Sequence, residues 1–103
     1  MPRETTLTKN ILRSLRAQGC LAWKVYGSVY GHAGQPDIAA LCPVDYQAYP
    51  VPIFIEVKKP GETPTPLQRK RLRDLAATGA VAFWTDNLQD VKDVLARIKR
   101  STT

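Results

Sequence analysis

The sequence predicts an α/β domain in which helices flank both faces of a mixed four-stranded sheet. Three observations predict it. Apolar residues recur at helical spacing in three stretches, and shorter β-favouring stretches lie between them, in the order αβββαβα. Short links join the first three strands, as in an antiparallel meander. A helix joins the third strand to the fourth, a right-handed crossover that makes those two parallel. At 103 residues the chain is read as one domain over 1–103.

The first helix is expected from about Glu4 or Thr6 to Gln18. Leu7, Ile11, Leu12 and Leu15 form its stripe and Gly19 stops it. Glu4 lies three residues before Leu7, on that stripe. Its carboxylate either faces inward for a reason or favours the helix N-terminus through the macrodipole. Leu21 to Tyr26 reads as the first strand. The segment after it carries Gly27, Gly31 and Gly34 and is a sharply bent loop or hairpin connection. It lacks the pattern of a phosphate-cradling nucleotide loop, so no nucleotide cofactor is expected. His32 reads as a solvated loop residue.

Pro36 to Leu41 reads as the second strand and Ile53 to Lys59 as the third. Pro43, Pro50 and Pro52 mark the 42–52 link as a loop, a candidate for part of a dimer contact. Thr65, Pro66 and Gln68 make an N-cap, a first-turn proline and a capping box, and so open the second helix. Leu67, Leu72, Leu75 and Ala76 carry it to Thr78. Ala80 to Thr85 is the fourth strand. Asp86 or Asn87 caps an extra C-terminal helix striped by Leu88, Val91, Leu95 and Ile98, and the basic end from about 99 to 103 is expected to fray.

Composition narrows the function classes. Fifteen Lys and Arg against nine Asp and Glu give a net charge of +6, which suits a polyanionic partner. Two cysteines and one histidine are too few for a zinc site of those ligands. With no signal peptide or membrane-spanning run at hand, a cytoplasmic location in a bacterial or phage-infected cell is expected, with no membrane partner. Cys20 and Cys42 are then most simply free buried thiols.

The chemistry gathers between Gly34 and Lys58. Residues i and i+2 of a strand share a face, so Glu56 and Lys58 point one way and Ile53, Ile55 and Val57 the other. Antiparallel pairing of the second and third strands would set Asp37 beside Glu56. Two close carboxylates repel unless a cation compensates, and oxygen ligands of this kind suit Mg²⁺, with Mn²⁺ as substitute. The Val57 carbonyl is a further ligand candidate. Lys58 is placed to orient a water or to stabilise charge growing on a phosphate. Pro-Asp and Glu-x-Lys are each common; their combination on adjacent strands of this element order is much rarer. No Ser/His/Asp or Cys/His set supports nucleophilic catalysis. Among basic residues near the site, Lys24, Lys59, Arg69 and Lys70 are candidates for phosphate contact with a nucleic acid. The run Arg69, Lys70, Arg71, Arg73 otherwise reads as a solvated face.

Pro36-Asp37 and Glu56-Val57-Lys58 resemble the two half-motifs of the PD-(D/E)XK nucleases, which have a restriction-endonuclease-like αβββαβ core. The chain is more closely similar to the VRR-NUC family within them, as a stand-alone phage-type member. Trp23-Lys24-Val25, Gly34-Gln35-Pro36-Asp37-Ile38, Glu56-Val57-Lys58-Lys59-Pro60-Gly61, Pro66-Leu67-Gln68 and Ala77-Thr78-Gly79-Ala80-Val81 carry the likeness, from Glu4 to about Ile98. The resemblance implies that Asp37 and Glu56 hold metal and that Lys58 is catalytic. It matches Glu4 to an acidic residue near the metal and Gln68 to a glutamine approaching the site. It also matches Ser28 to a loop serine of junction-cleaving relatives. It implies a homodimer acting on branched DNA, with Holliday (four-way) junction resolution first, flap cutting or general nicking next. A non-catalytic nucleic-acid-binding module is the competing class.

Overall fold

A computed structural model describes residues 4–26 and 34–100, with side chains from Thr6 onward in the first stretch. Three helices and four strands follow in order: α1 (Glu4–Ala17), β1 (Leu21–Lys24), β2 (Ile38–Cys42), β3 (Val51–Val57), α2 (Pro66–Ala77), β4 (Val81–Thr85) and α3 (Leu88–Arg100). The sheet order is β1-β2-β3-β4. β1/β2 and β2/β3 pair antiparallel, and β3/β4 pair parallel across the α2 crossover. This is the expected mixed sheet with the expected element order.

The side-chain period of two divides the sheet into two faces. Cross-strand partners share a face, so each ladder position defines a row. Ala22, Ala40, Ile53 and Val81 form one row, and Ile38, Ile55 and Phe83 another. Both turn toward α1 and α3, where Ile11, Leu15, Val91 and Leu95 complete the core. Ile11, Leu15, Ile38 and Ile55 are completely buried. Each contributes about 1.5–3 kcal/mol by leaving water. α2 covers the opposite face, over β3 and β4, with Leu72 as its buried residue.

The boundaries differ from the sequence expectation in ways that packing explains. β1 ends at Lys24, yet the Val25 amide still donates to the Asp37 carbonyl at 2.7 Å, so the ladder runs one bond further. β3 begins at Val51, inside the expected loop, and includes Pro52. The parallel pairing with β4 starts only at Ile53, so proline sits where that ladder asks for no donor. Lys58 lies just past β3, but its amide still donates to the Thr85 carbonyl at 2.9 Å. Asn87, rather than Asp86, caps α3, its Oδ1 accepting from the Asp90 amide at 2.9 Å. Lys99 and Arg100 belong to α3 rather than to a frayed tail. Lys99 Nζ donates to the Gln18 carbonyl at 3.0 Å, where α1 ends. Tyr46, in the expected dimer-contact loop, donates its hydroxyl to the Ile98 carbonyl at 2.8 Å.

The expectation of free thiols is corrected: Cys20 and Cys42 form a disulfide. Leu21 pairs with Leu41 in the antiparallel β1/β2 ladder, so one step back sets Cys20 opposite Cys42. Their Cα atoms are 4.3 Å apart, the spacing of a non-hydrogen-bonded antiparallel pair. The expectation rested on compartment, whereas register decided the pairing.

Candidate active site

The row after Ile38–Ile55 lies on the α2 face at one end of the sheet. Continuing the β2/β3 register puts Asp37 opposite Glu56, and Glu56 in turn pairs with Trp84 of β4. On the other side Asp37 meets Val25 through the backbone bond already described. The row therefore reads Val25, Asp37, Glu56, Trp84, with both carboxylates in its middle.

Asp37 is fixed from two strands. Its carbonyl accepts from Val25, just past β1, and its Oδ2 accepts from the Val57 amide of β3 at 2.8 Å. Oδ1 lies outside that bond. Gly34 sets the approach to Asp37. It has a φ of 80°, and a Cβ there would come within 3.0 Å of Leu67 Cγ and 3.2 Å of the Leu67 carbonyl. Only glycine lets the chain turn this close beneath the start of α2.

Glu56 is 3% exposed, a carboxylate buried in a central strand. Such a charge is costly unless it is paired and hydrogen-bonded. Lys58 Nζ lies 3.6 Å from Glu56 Oε2, on the same face two residues on. Gln68 Nε2 donates to the same Oε2 at 3.0 Å. Gln68 also closes the capping box: its Oε1 accepts from the Thr65 amide at 2.9 Å, and its own amide donates to Thr65 Oγ1 at 3.2 Å. The cap requires the oxygen end of the amide to face Thr65, which directs the nitrogen end at Glu56. Capping and contact with the carboxylate are thus two ends of one side chain.

Asp37, Glu56, Val57, Lys58 and Gln68 lie together at this end of the sheet. Other candidates do not join them. Lys24 pairs with Ile38 in the ladder, so it belongs to the core-side row, and its ammonium sits 5.5 Å from the Tyr26 ring. Lys59 is exposed, 4.0 Å from Glu62. Arg69 Nε donates to the Pro64 carbonyl at 3.2 Å, and Lys70 pairs with Asp74 at 2.9 Å. That exposed lysine holds the Asp74 carboxyl below its ordinary value, chiefly by its hydrogen bond. Ser28, His32 and the side chain of Glu4 lie outside the described residues; α1 does begin at Glu4.

The α2 stripe also differs from expectation. Leu67 is 46% exposed, and the residues that turn to the sheet are Gln68, Leu72 and Leu75 together with Arg71. Helical geometry makes 68, 71, 72 and 75 one face. Arg71 was hidden in the sequence by its basic neighbours. Trp84 was legible only as a strand former; parallel register places it beside Glu56.

The donor chemistry fits a divalent cation. Two carboxylates share a row, and Mg²⁺ usually takes only one or two, completing its shell with water and substrate oxygens. Among the described residues, no group of three His, Cys, Asp or Glu side chains gathers at one point. A third protein ligand among the described residues would therefore be a backbone carbonyl, with Val57 adjacent.

Similarity to known proteins follows the same line. The chain is 31% identical over 96 residues to "Putative nuclease p44" of Acyrthosiphon pisum secondary endosymbiont phage 1, covering 93% of this chain and 95% of that protein. A solved structure described as a VRR_NUC domain superposes with a TM-score of 0.73 at 26% identity, over 90% of this chain and 94% of the other. A second, described as a VRR_NUC domain protein, gives a TM-score of 0.69 at 20% identity, over 92% and 86%, and so speaks to the fold alone. No family model matches the chain. No helix among the described residues is long and apolar enough to cross a membrane.

Proposed function

The chain belongs to the VRR-NUC nuclease family as a phage-type member, and we propose that it is a divalent-metal-dependent DNA endonuclease. The observation that carries the reading is the convergence on Glu56. A buried carboxylate stands beside a second one, with a lysine at 3.6 Å and an amide at 3.0 Å on the same oxygen. A core has no use for this arrangement, since apolar residues of similar volume would stabilise at least as well.

Asp37 and Glu56 would hold the cation. When bound, Mg²⁺ or Mn²⁺ supplies Lewis acidity and neutralises phosphate charge. The chain's own residues supply the rest. Lys58 is 12% exposed in its side chain, close enough to the surface to meet a phosphate oxygen and still beside Glu56. Its ammonium balances charge that grows on the phosphate as water adds and the P–O bond to the leaving strand breaks. Gln68 is a positioning residue, since it holds the Glu56 carboxylate from a helix already fixed by its cap. The backbone bond of Asp37 to Val25 and the amide bond from Val57 hold the other carboxylate without a flexible loop.

The proposed substrate is branched DNA, with four-way junctions first. A two-fold dimer would present two equivalent sites to the two strands cut at such a junction. The net charge of +6 suits the phosphate backbone. The test incubates the protein with Mg²⁺ or Mn²⁺ and labelled four-way junction, flap and linear duplex, alongside Asp37→Ala and Lys58→Ala. Paired symmetric nicks in the junction, lost in both variants, are expected. No metal-dependent cutting of any substrate would overturn the enzyme reading and leave a binding module. Equal cutting of duplex and junction would leave a general nicking enzyme.

A further inference from the structure

One helical turn along α2 from Gln68, the sheet-facing stripe reaches Arg71 and then Leu75. There the helix does not close onto the sheet. A cavity of about 270 Å³ remains, lined by Val25, Gln35, Pro36, Phe54, Arg71 and Leu75. Its position is tied to the carboxylates by the chain itself. Val25 shares the row of Asp37, Pro36 immediately precedes Asp37, and Phe54 lies two residues before Glu56 on the same face.

The lining is apolar apart from Gln35 and Arg71. Arg71 Nε is buried and has no hydrogen-bond partner among the described residues. A buried donor of a charged group is seldom left this way, and a ligand that brings an acceptor would satisfy it. The volume falls just below the range of about 300–1,000 Å³ typical of pockets for drug-sized molecules, so a single flat ring system suits it. An aromatic ring, aliphatic side chains and a guanidinium are what an unstacked nucleobase meets in single-strand recognition.

We propose that this cavity receives one unstacked base of the DNA strand being cut, next to the scissile phosphate, with Arg71 donating to the base's acceptor edge. Guanine suits it best, because its O6 and N7 match an arginine fork. The inference rests on the nuclease reading and deepens it. Bases at a branch point are more easily unstacked than those in continuous duplex, so the pocket favours branched over linear DNA without any contact to the junction centre. It also gives Arg71 a task different from its neighbours Arg69 and Lys70, which stay outside.

The test measures binding in EDTA, so that cutting plays no part. Four-way junctions carry a single abasic site at each position within three nucleotides of the branch. Dissociation constants are measured for the wild type, for Arg71→Met, which keeps an apolar wall without the guanidinium, and for Leu75→Phe, which fills the cavity from the helix side. At one position the abasic site should weaken wild-type binding about tenfold, in line with the worth of one stacked base. The same abasic site should cost either folded variant less than about threefold, because the pocket contact is already gone. Equal penalties in wild type and variants at every position would overturn the proposal. So would a wild type indifferent to base loss everywhere, a result that needs no variant to fold. Cleavage in Mg²⁺ is scored separately. Cutting without base coupling removes the pocket and keeps the nuclease; coupling without cutting does the reverse.

Discussion

Two faces of one strand do opposite work in this protein. On one side of β3, Ile53, Ile55 and Val57 are almost wholly buried beneath α1 and α3. On the other, Phe54, Glu56 and, just beyond the strand, Lys58 lie under a single helix that covers only part of the sheet. The first face is apolar, continuous and covered. The second holds a buried carboxylate, a lysine and a cavity. Alternation along a strand lets adjacent residues serve stability and chemistry separately, so a charge can be buried in a central strand without entering the core.

Ile55→Ala acts on the covered face. It removes buried methyl groups from the covered face and should cost about 2–5 kcal/mol, read as a lowered denaturation midpoint. A loss below about 1 kcal/mol would mean that the covered face is not the main source of stability. At the far end of the β1/β2 ladder from Asp37, the Cys20–Cys42 bridge contributes through the unfolded chain. Cys20→Ser with Cys42→Ser should cost about 3 kcal/mol. Cleavage by the protein that remains folded should be unchanged, because the bridge lies away from the carboxylates.

Glu56→Gln, the neighbour of Ile55, should show the opposite pattern. The isosteric amide can keep its contact with Gln68 while losing the charge. Metal-dependent cleavage should fall by about 100-fold or more, with the unfolding midpoint changed little. A midpoint shift as large as that of Ile55→Ala would erase the distinction between the faces. Gln68 separates cap from site. Gln68→Ala should cost about 1 kcal/mol of stability, because it removes the side-chain half of the capping box and the bond to Glu56 while the residue-68 amide still donates to Thr65. Gln68→Glu can retain the capping box but sets a carboxylate against Glu56. Repulsion between the two should hold the metal-free midpoint below that of the wild type even with the cap in place, and cleavage should not return.

The smallest effect is expected at Asp74. Its hydrogen bond from Lys70 lowers the carboxyl from its ordinary 3.8, so whatever the pair contributes is present above that pH. It is lost as pH falls through the lower folded value. An exposed i,i+4 pair is worth little, so Asp74→Asn should leave the melting temperature at neutral pH nearly unchanged.

Period and punctuation made much of this molecule legible. Helical spacing in Leu7, Ile11 and Leu15, the Thr65-Pro66-Leu67-Gln68 cap, and the link between β3 and β4 were enough for the element order and the mixed sheet. The alternation of Ile55, Glu56, Val57 and Lys58 was enough to put Glu56 and Lys58 on one face. The dual use of Gln68 was half legible, because the cap was visible while the second end of its amide had no target until α2 lay over β3.

Which residues face the same way within each element can be read from the chain alone, because helix and strand periods are local properties of the backbone. Which elements' residues meet depends on the assembled fold. Register set Asp37 opposite Glu56, joined Cys20 to Cys42 and turned Lys24 to the core side. The placement of α2 left Leu67 outside and brought Arg71 over the sheet. Each of these depends on pairing between distant segments, and a shift of one residue would reverse every face.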